Sequence, residues 1–290
     1  MTGMVGVIGG SGLYAMEALE EAREVNLDTP YGEPSDAFMV GKVAGVPVAF
    51  LARHARGHRL LPSEVNYRAN IHAMKQLGAR YLISVSAVGS LSEDITPLDI
   101  VLPDQFIDQT CRRPSTFFGD GVVAHVSMAQ PVCMATSRIL GEAVGSLGAD
   151  FPARLHRTGT YVCIEGPQFS SLAESLCYRS MGAQIIGMTN MPEAKLAREA
   201  QIAYATLAMV TDYDCWHPHE ADVSADLALR NLMENAGRAQ RIIAEAVARL
   251  GRERPTSIAH IALSQALVTQ PEDMPEARRK ALEPILTANA

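Results

Sequence analysis

Short apolar runs alternate along the chain with segments of helical periodicity, and this alternation constrains the fold more than any other feature. Each run stops at a cluster of small, polar or charged residues, a pattern typical of α/β domains. Because the runs are apolar almost throughout, we expect strands that are buried on both faces. The runs are Val5–Ile8, Val46–Leu51, Tyr81–Val85, Asp99–Val101 with a continuation to Ile107, Thr160–Ile164, Ile185–Met188 and Tyr204–Val210.

Four segments have the periodicity or the boundary residues of helices. Three are predicted at Ser63–Leu77, Ser171–Met181 and Pro192–Ala200. The fourth, Ala236–Leu250, has the strongest periodicity, and Gly251 is expected to end it. The charged tail from residue 270 onward is broken by prolines and indicates a short surface helix.

The composition is that of an ordinary globular chain. Of 290 residues, 48% are hydrophobic and 20% are charged, and the absence of a repeat or a linker favours one domain over two. The formal charge of −7 argues against nucleic acid or an anionic membrane as a partner. The sequence has no run of about 18 apolar residues and no secretory leader, which predicts a cytoplasmic protein.

The cysteines predict neither a disulfide framework nor a metal site. They are odd in number, widely spaced and without a C-x-x-C pair, so we expect free thiols packed as small apolar groups. The five are Cys111, Cys133, Cys163, Cys177 and Cys215.

Two strand ends have the composition of an anion site. Ligands of open α/β sheets gather beyond the carboxyl ends of the strands. The turn Gly9–Gly12 offers backbone amides and the Ser11 hydroxyl, with a plain tight turn as an equal alternative. It lacks the third glycine of a dinucleotide fingerprint and the lysine of a P-loop. The basic run from Ala52 to Arg59, which includes Arg53 and His54, favours an anion such as phosphate over a solvated loop.

The other strand ends are less specific. Ser84–Ser90 carries small hydroxyl residues that can add donors to the same anion. Asp212 and Asp214 follow the last apolar run, and such a pair can bind a divalent metal, ligand amino groups or nothing. Two strand-to-helix junctions add aromatic, thioether or hydroxyl groups, namely Ile164–Ser171 and Gly187–Glu193.

Seven segments together carry a family pattern. They are Ile8–Leu13, Thr29–Asp36, Leu51–His54, Val65–Asn70, Ile164–Pro167, Gly187–Glu193 and Thr211–Trp216. In this order they closely resemble the methylthioadenosine phosphorylases of the trimeric purine nucleoside phosphorylase family, over about residues 4–250. The resemblance implies a single α/β domain with a central mixed, partly barrel-like β-sheet flanked by helices. Residues 1–250 would form the catalytic domain, and residues 251–290 a C-terminal extension packed on it or on a neighbouring subunit.

The resemblance also implies a reaction and the residues that perform it. Inorganic phosphate would cleave 5′-methylthioadenosine to adenine and 5-methylthioribose 1-phosphate, without a metal or an organic cofactor. Met188 would pack against the ribose and bond it through its backbone, and Phe169 would stack on the purine. The implied phosphate ligands are Ser11, Arg53, His54, Ser86, the Ala87 amide and Thr189. The implied methylthio pocket is lined by Ala225, Ala228 and Leu229, and His125 would enter a neighbour's site in a homotrimer or a dimer of trimers.

The acidic pair suits the departure of a purine. The leaving base needs a proton on N7, and two close carboxylates raise the pKa of one of them. We predict Asp212 as the proton donor and Asp214 as its partner at the 6-amino edge. Carboxylates accept hydrogen bonds from an amino group but would face a 6-oxo group with like polarity, so adenine-type bases are expected.

Other functions stay open at this point. A methylthioinosine or 6-oxopurine nucleoside phosphorylase would differ at the base. A nucleosidase would use water, and Arg53 with His54 would then have no purpose. A dinucleotide-dependent oxidoreductase would use the Gly9–Gly12 turn, whose missing third glycine counts against it. A binding protein would hold the nucleoside without turnover.

Overall fold

The structure, a computed structural model, describes residues 3–10, 13, 16–148, 153–218 and 225–287, and within residues 225–235 only the backbone. These residues form one α/β unit with a mixed sheet of eleven strands and six α-helices. The strands are β1 Met4–Gly9, β2 Glu20–Val25, β3 Phe38–Val43, β4 Val46–Ala52, β5 Ala79–Ser90, β6 Ile100–Val101, β7 Gln105–Asp108, β8 Leu155–His156, β9 Thr160–Cys163, β10 Ile185–Gly187 and β11 Ala203–Asp212. The helices are α1 Tyr67–Gln76, α2 Met134–Ser146, α3 Leu172–Ser180, α4 Asn190–Glu199, α5 Ala225–Glu253 and α6 Glu276–Leu286.

A parallel core in the order β4-β1-β5-β11 carries the strand ends from which the candidate site is built. The long strand β5 pairs with β1 and β11, and near its end it pairs antiparallel with β10 through Gly89 and Ser90. β2 and β3 extend the sheet beyond β4, whereas β9 and β7 follow β10. The predicted mixed sheet is confirmed, and the described strands leave it open rather than closed into a barrel.

The predicted strands are confirmed by their position, but the run from Asp99 to Ile107 forms two strands, β6 and β7, and β7 is not buried. All ten residues of β11 are buried, and in β5 only Arg80 and Ala87 are not fully buried. The elements that were not predicted from the sequence are β2, β3, β8 and α2. The strand β2 is exposed over its first five residues and carries charges throughout, so it has no apolar run to reveal it.

The first predicted helix begins later than its sequence pattern suggested. We expected it from Ser63, but α1 starts at Tyr67. Asn66 is the N-cap, and its side-chain oxygen accepts a hydrogen bond from the Ala69 amide at 3.1 Å. An asparagine in this position satisfies one of the free amides of the first turn, which fixes the start of the helix there.

The prediction that Gly251 ends a helix was wrong. The helix α5 starts at Ala225 and continues through Gly251 to Glu253. A Cβ atom at residue 251 would overlap the Val46 side chain, so the glycine allows α5 to pack closely on β4. Its sequence signal therefore reports close packing and not termination.

Helices cover both faces of the sheet. α5 packs with α2 on one face, and α1 packs with α4 and α6 on the other. The α5 side chains buried in the hydrophobic core between α5, α2 and the sheet are Ala239, Ile242, Ile243, Ala246, Val247 and Leu250. None of the described helices is long and apolar enough to cross a lipid bilayer.

The chain after α5 returns to the sheet. The Tyr81 hydroxyl donates to the Pro255 carbonyl at 2.8 Å, and the Gln201 amide donates to the Ile285 carbonyl at 3.2 Å. The helix expected in the tail is present as α6, but Leu282 and Ile285 are fully buried, so its apolar side does not face solvent. The division of the chain at residue 250 stays a prediction.

Candidate active site

Adjacent parallel strands bring the predicted site residues to one edge of the sheet. Arg53 directly follows β4, whose last residue pairs with the end of β1. β5 supplies Ser86 and Ala87, and Asp212 at the end of β11 lies opposite Gly89 of β5. The gathering of these strand ends agrees with the position of ligand sites in open α/β sheets.

The Arg53 guanidinium is held in a buried ion pair with Glu193 of α4. Nε donates to Glu193 Oε2 at 2.8 Å and Nη2 donates to Oε1 at 3.1 Å. Nη1 donates to the Val85 carbonyl at 3.1 Å, and the second Nη2 hydrogen meets Ser84 Oγ at 2.7 Å. Of five N–H groups, at most one on Nη1 is left for an anion. The planar fork that we expected to meet phosphate is therefore occupied by Glu193, and a phosphate contact of Arg53 stays a prediction.

A second layer of hydrogen bonds fixes this ion pair. The Tyr204 hydroxyl donates to Glu193 Oε1 at 3.0 Å and accepts from the Asn190 amide at 2.6 Å. The same Asn190 amide group donates to Ser84 at 2.9 Å. These hydrogen bonds hold both side chains in one geometry. Removing either member of a buried pair such as Arg53–Glu193 would leave an uncompensated charge, which is strongly destabilising.

His54 is neutral and fixed in one tautomer. Its Nδ1 lies 2.8 Å from the Leu60 carbonyl, which can only accept, so Nδ1 carries the proton. Burial and the neighbouring Arg53 charge lower its pKa to about 4, and its ring stacks on His58 at 4.4 Å between centroids. Nε2 is consequently an acceptor near pH 7. It can bind a phosphate oxygen by accepting a P–OH proton or by gaining a proton itself.

The hydroxyl groups of Ser86 and Thr189 face each other. Their oxygen atoms are 3.3 Å apart, and both residues are buried. The next residue, Ala87, is the only exposed residue of β5. Two hydroxyl groups beside an exposed strand residue can bind an anion, and a phosphate contact of Ser86, Ala87 and Thr189 stays a prediction.

The acidic pair is rigid and desolvated. Asp212 Oδ2 accepts from the Thr211 hydroxyl at 2.6 Å, and Oδ1 accepts from the Asp214 amide at 2.9 Å. Burial raises the pKa of both carboxyl groups, and the Asp212 charge raises that of Asp214 further. A Cβ at Gly89 would lie 2.7 Å from Asp212 Oδ1, so the absence of a side chain there makes room for the carboxylate.

The aromatic and thioether groups lie at the outer side of this edge. Phe169 is 46% exposed and is therefore not a core residue. Met188 is half-buried, and a Cβ at Gly166, whose φ is +65°, would meet the Met188 thioether. Gly166 thus keeps the Glu165–Phe169 loop close to Met188. Their contacts with a nucleoside stay a prediction.

Arg113 is a residue that the sequence analysis missed. Nη1 donates at 2.7 Å to the carbonyls of Met188 and Met191, and Nη2 donates at 2.7 Å to that of Glu165. Nε also meets the Glu165 carboxylate at 3.1 Å. Arg113 therefore ties the loop before Phe169 to the segment that carries Met188. The only sequence signal was a pair of arginines shortly after an apolar run.

Several predicted site residues lie outside what the structure describes. Ser11 is outside the described residues, and so are the side chains of Ala225, Ala228 and Leu229. His125 is described and exposed, with its amide bonded to the Ala266 carbonyl at 2.8 Å. Among the described residues, no three His, Cys, Asp or Glu side chains converge as a set of metal ligands.

Known proteins match the chain over nearly its whole length. The phosphorylase superfamily model matches residues 4–248. The S-methyl-5′-thioadenosine phosphorylase of Thermosynechococcus vestitus is 57% identical over 286 residues, which is 99% of each chain. That of Geobacter sulfurreducens is 52% identical over 287 residues, again 99% of each.

Solved structures show the same likeness. A methylthioadenosine phosphorylase from an antarctic soil metagenomic library is 60% identical, with a TM-score of 0.94 over 99% of this chain and 100% of that one. The methylthioadenosine phosphorylase of Schistosoma mansoni in complex with adenine is 39% identical, with a TM-score of 0.82 over 86% of this chain and 92% of that one. With the strand-end site described above, these matches show that the chain belongs to the phosphorylase superfamily.

Proposed function

We propose that this chain catalyses the phosphorolysis of 5′-methylthioadenosine to adenine and 5-methylthioribose 1-phosphate. The relatives that match 99% of the chain are S-methyl-5′-thioadenosine phosphorylases, and the Schistosoma relative was solved with adenine. The observation that carries the proposal is the buried acidic pair Asp212–Asp214, which lies on the strand beside the Ser86 and Ala87 anion site.

The base-binding step follows from the acidic pair. An adenine amino group can donate to a carboxylate, and N7 can accept a proton from a carboxylic acid. Hypoxanthine would present a carbonyl to the same carboxylate and leave both acceptors unpaired, which disfavours it. The pair therefore supports a 6-aminopurine nucleoside as substrate.

The hydrogen bonds favour Asp214 as the proton donor, in contrast to our sequence-based assignment of Asp212. Both oxygens of Asp212 accept short bonds from Thr211 and from the Asp214 amide, which stabilise its charged form. Burial and, to a smaller extent, the Asp212 charge raise the pKa of Asp214, against hydrogen bonds from Ser175 and Cys215 that lower it. We propose that Asp214 holds the proton and that Asp212 remains ionised at the amino edge.

The chemical step is a single displacement with oxocarbenium character. A phosphate oxygen forms a bond to C1′ while the C1′–N9 bond breaks and its electron pair moves into the purine. Asp214 transfers its proton to N7 and is reprotonated from solvent after release. A phosphate dianion held against C1′ stabilises the positive charge on the sugar, and its fixed position makes the attack nearly unimolecular, which contributes about 7 kcal/mol or more.

Base release measured with and without inorganic phosphate tests the reaction. Methylthioadenosine, adenosine and methylthioinosine are supplied separately, and we expect phosphate-dependent release of adenine from methylthioadenosine. Release without phosphate would indicate a nucleosidase, and a preference for methylthioinosine would contradict the role of the acidic pair. Tight binding without any release would indicate a binding protein.

Asp214→Asn tests the proton donor. The amide cannot supply an acidic proton, so we expect adenine release to fall at least about 100-fold, the low end of a general-acid contribution. Asp273→Asn, a carboxylate of the exposed C-terminal segment, is the matched control. An Asp214→Asn enzyme with unchanged rate and unchanged preference for 6-aminopurines would exclude this role.

We also propose that the enzyme is a cytoplasmic homotrimer, or a dimer of such trimers, without a metal or an organic cofactor. His125 is exposed, as required for a side chain that enters a neighbour's site. The five free cysteines, two of them exposed, suit a reducing compartment. Light scattering of the purified chain gives the assembly size, and full activity after treatment with a chelator is expected.

A further inference from the structure

Tyr161 of β9 brings a third hydroxyl group to the Ser86–Thr189 pair. The side chain is fully buried, with its ring centroid 5.7 Å from that of Phe106. Its hydroxyl oxygen lies 3.2 Å from Ser86 Oγ, accepts a hydrogen bond from the Thr189 backbone amide and also meets the Thr189 side chain. The sequence analysis treated Tyr161 only as part of a buried strand.

Gly187, two residues before Thr189, leaves room for the Tyr161 hydroxyl. A Cβ at Gly187 would overlap the Tyr161 oxygen and lie 2.7 Å from the ring carbon that carries it. The φ angle of Gly187 is outside the left-handed range, so its conformation does not require glycine. The missing side chain is explained by the room that the tyrosine hydroxyl needs.

We infer that Tyr161 is a positioning residue that directs the hydroxyl hydrogens of Ser86 and Thr189 toward the phosphate. This inference rests on the phosphate site of the proposed function. Each hydroxyl has one hydrogen and two lone pairs. If Ser86 and Thr189 bonded only each other, one of the two hydrogens would be used within the pair. Tyr161 has one hydrogen, and donating it to the Ser86 or the Thr189 oxygen occupies a lone pair there, which favours the arrangement in which the hydrogens of both Ser86 and Thr189 point to the anion.

The surroundings of Tyr161 keep its hydroxyl protonated and make Ser86 a stronger hydrogen-bond donor to an anion. Burial raises its pKa well above the ordinary range, so the hydroxyl stays protonated at any working pH. Hydrogen bonds in a chain polarise one another, so a serine that accepts from Tyr161 becomes a better donor to an anion. The Ala87 carbonyl, 3.3 Å from Ser86 Oγ, is a weaker acceptor than a phosphate dianion.

Tyr161→Phe removes one oxygen atom and keeps the ring in the core. We expect the KM for phosphate to rise about threefold to tenfold, the effect of one hydrogen bond, with the KM for methylthioadenosine unchanged within about twofold. Tyr81→Phe is the matched control, since Tyr81 is a buried tyrosine of the same sheet whose hydroxyl bonds the Pro255 carbonyl. It should leave both KM values unchanged.

A second variant and a second measurement keep the test independent of folding and of the rate. Tyr161→Met removes the same hydroxyl with a flexible apolar side chain and should raise the phosphate KM similarly. The increase in Tm caused by added inorganic phosphate should be smaller in both Tyr161 variants than in the wild type and in Tyr81→Phe, because it reports binding to the folded state.

The outcomes separate this inference from the proposed function. A wild-type enzyme that releases adenine without phosphate refutes phosphorolysis. A phosphate-dependent wild type whose phosphate KM and phosphate-induced Tm increase are unchanged in Tyr161→Phe refutes the positioning role alone. Equal changes in both KM values would also refute it, because they would show a general structural effect.

Discussion

The Thr211 hydroxyl provides a direct test of how the acidic pair divides its proton. It donates to Asp212 Oδ2 at 2.6 Å, a short bond to the carboxylate that the proposed mechanism keeps ionised. Thr211→Val replaces the hydroxyl with a methyl group of nearly the same size. The variant therefore removes one donor to the ionised Asp212 while Asp214 and its amide stay in place.

The size of the effect follows from the strength of this bond. A hydrogen bond to a charged group contributes about 1.5–3 kcal/mol, and one pKa unit corresponds to about 1.4 kcal/mol. Loss of a bond to the charged form raises a pKa, so Asp212 becomes easier to protonate by about one to two pH units. Because the active pair carries one proton, the second protonation, which inactivates it, moves to higher pH.

The assay is the pH dependence of kcat/KM for methylthioadenosine at saturating phosphate. The acid limb, which reports the coupled pair in the free enzyme, should move up by about one to two pH units in Thr211→Val. Thr211→Ser keeps the hydroxyl and should restore the wild-type limb. An acid limb that stays in place in Thr211→Val, whatever the rate, would refute the assignment of the ionised form to Asp212.

Three further predictions follow from the packing of the site and of the C-terminal segment. Gly89→Ala places a Cβ 2.7 Å from Asp212 Oδ1, so kcat/KM should fall about 100-fold without unfolding, and near-normal activity would contradict the close fit. Arg53→Met should lower the free energy of unfolding by about 3–5 kcal/mol in urea, and adding Glu193→Gln should recover most of it; equal losses would show that the ion pair is not the cause. The pKa of His260 is lowered to about 4 by burial and by Arg80, so between pH 6.5 and 4 the unfolded chain binds a proton that the folded chain does not. Stability should fall as the pH drops through this window, by at most about 3 kcal/mol, and His260→Asn should reduce that slope in urea titrations, whereas an unchanged slope would exclude this histidine as its source.

The fold could be predicted where buried elements have continuous apolar runs in the sequence. The strands β1, β5 and β11 are buried on both faces, and their apolar runs gave their positions. The exposed edge strand β2 has no such run, since only its pairing with β3 makes it a strand. Gly251 gave a false signal because the residue it touches, Val46, is some 200 positions away.

The site could be predicted as a set of residues but not as a set of contacts. Arg53, His54 and the acidic pair were visible because polar groups directly follow apolar runs. The partner of Arg53 is Glu193, 140 residues further on, and a single sequence does not record that distance in space. Arg113 was not predicted for the same reason. Four of its acceptors are backbone carbonyls, which every residue has, so residue types do not reveal them.

The long strand β5 fixes the spacing between several residues of the candidate site. Ser84 bonds Arg53, Ser86 belongs to the hydroxyl pair, and Gly89 faces Asp212, all on one extended segment. At about 3.3 Å per residue, Ser86 and Gly89 are about 10 Å apart along the strand. In the proposed function phosphate lies at Ser86 and the purine edge at Asp212, so this segment would fix the distance between the two sites.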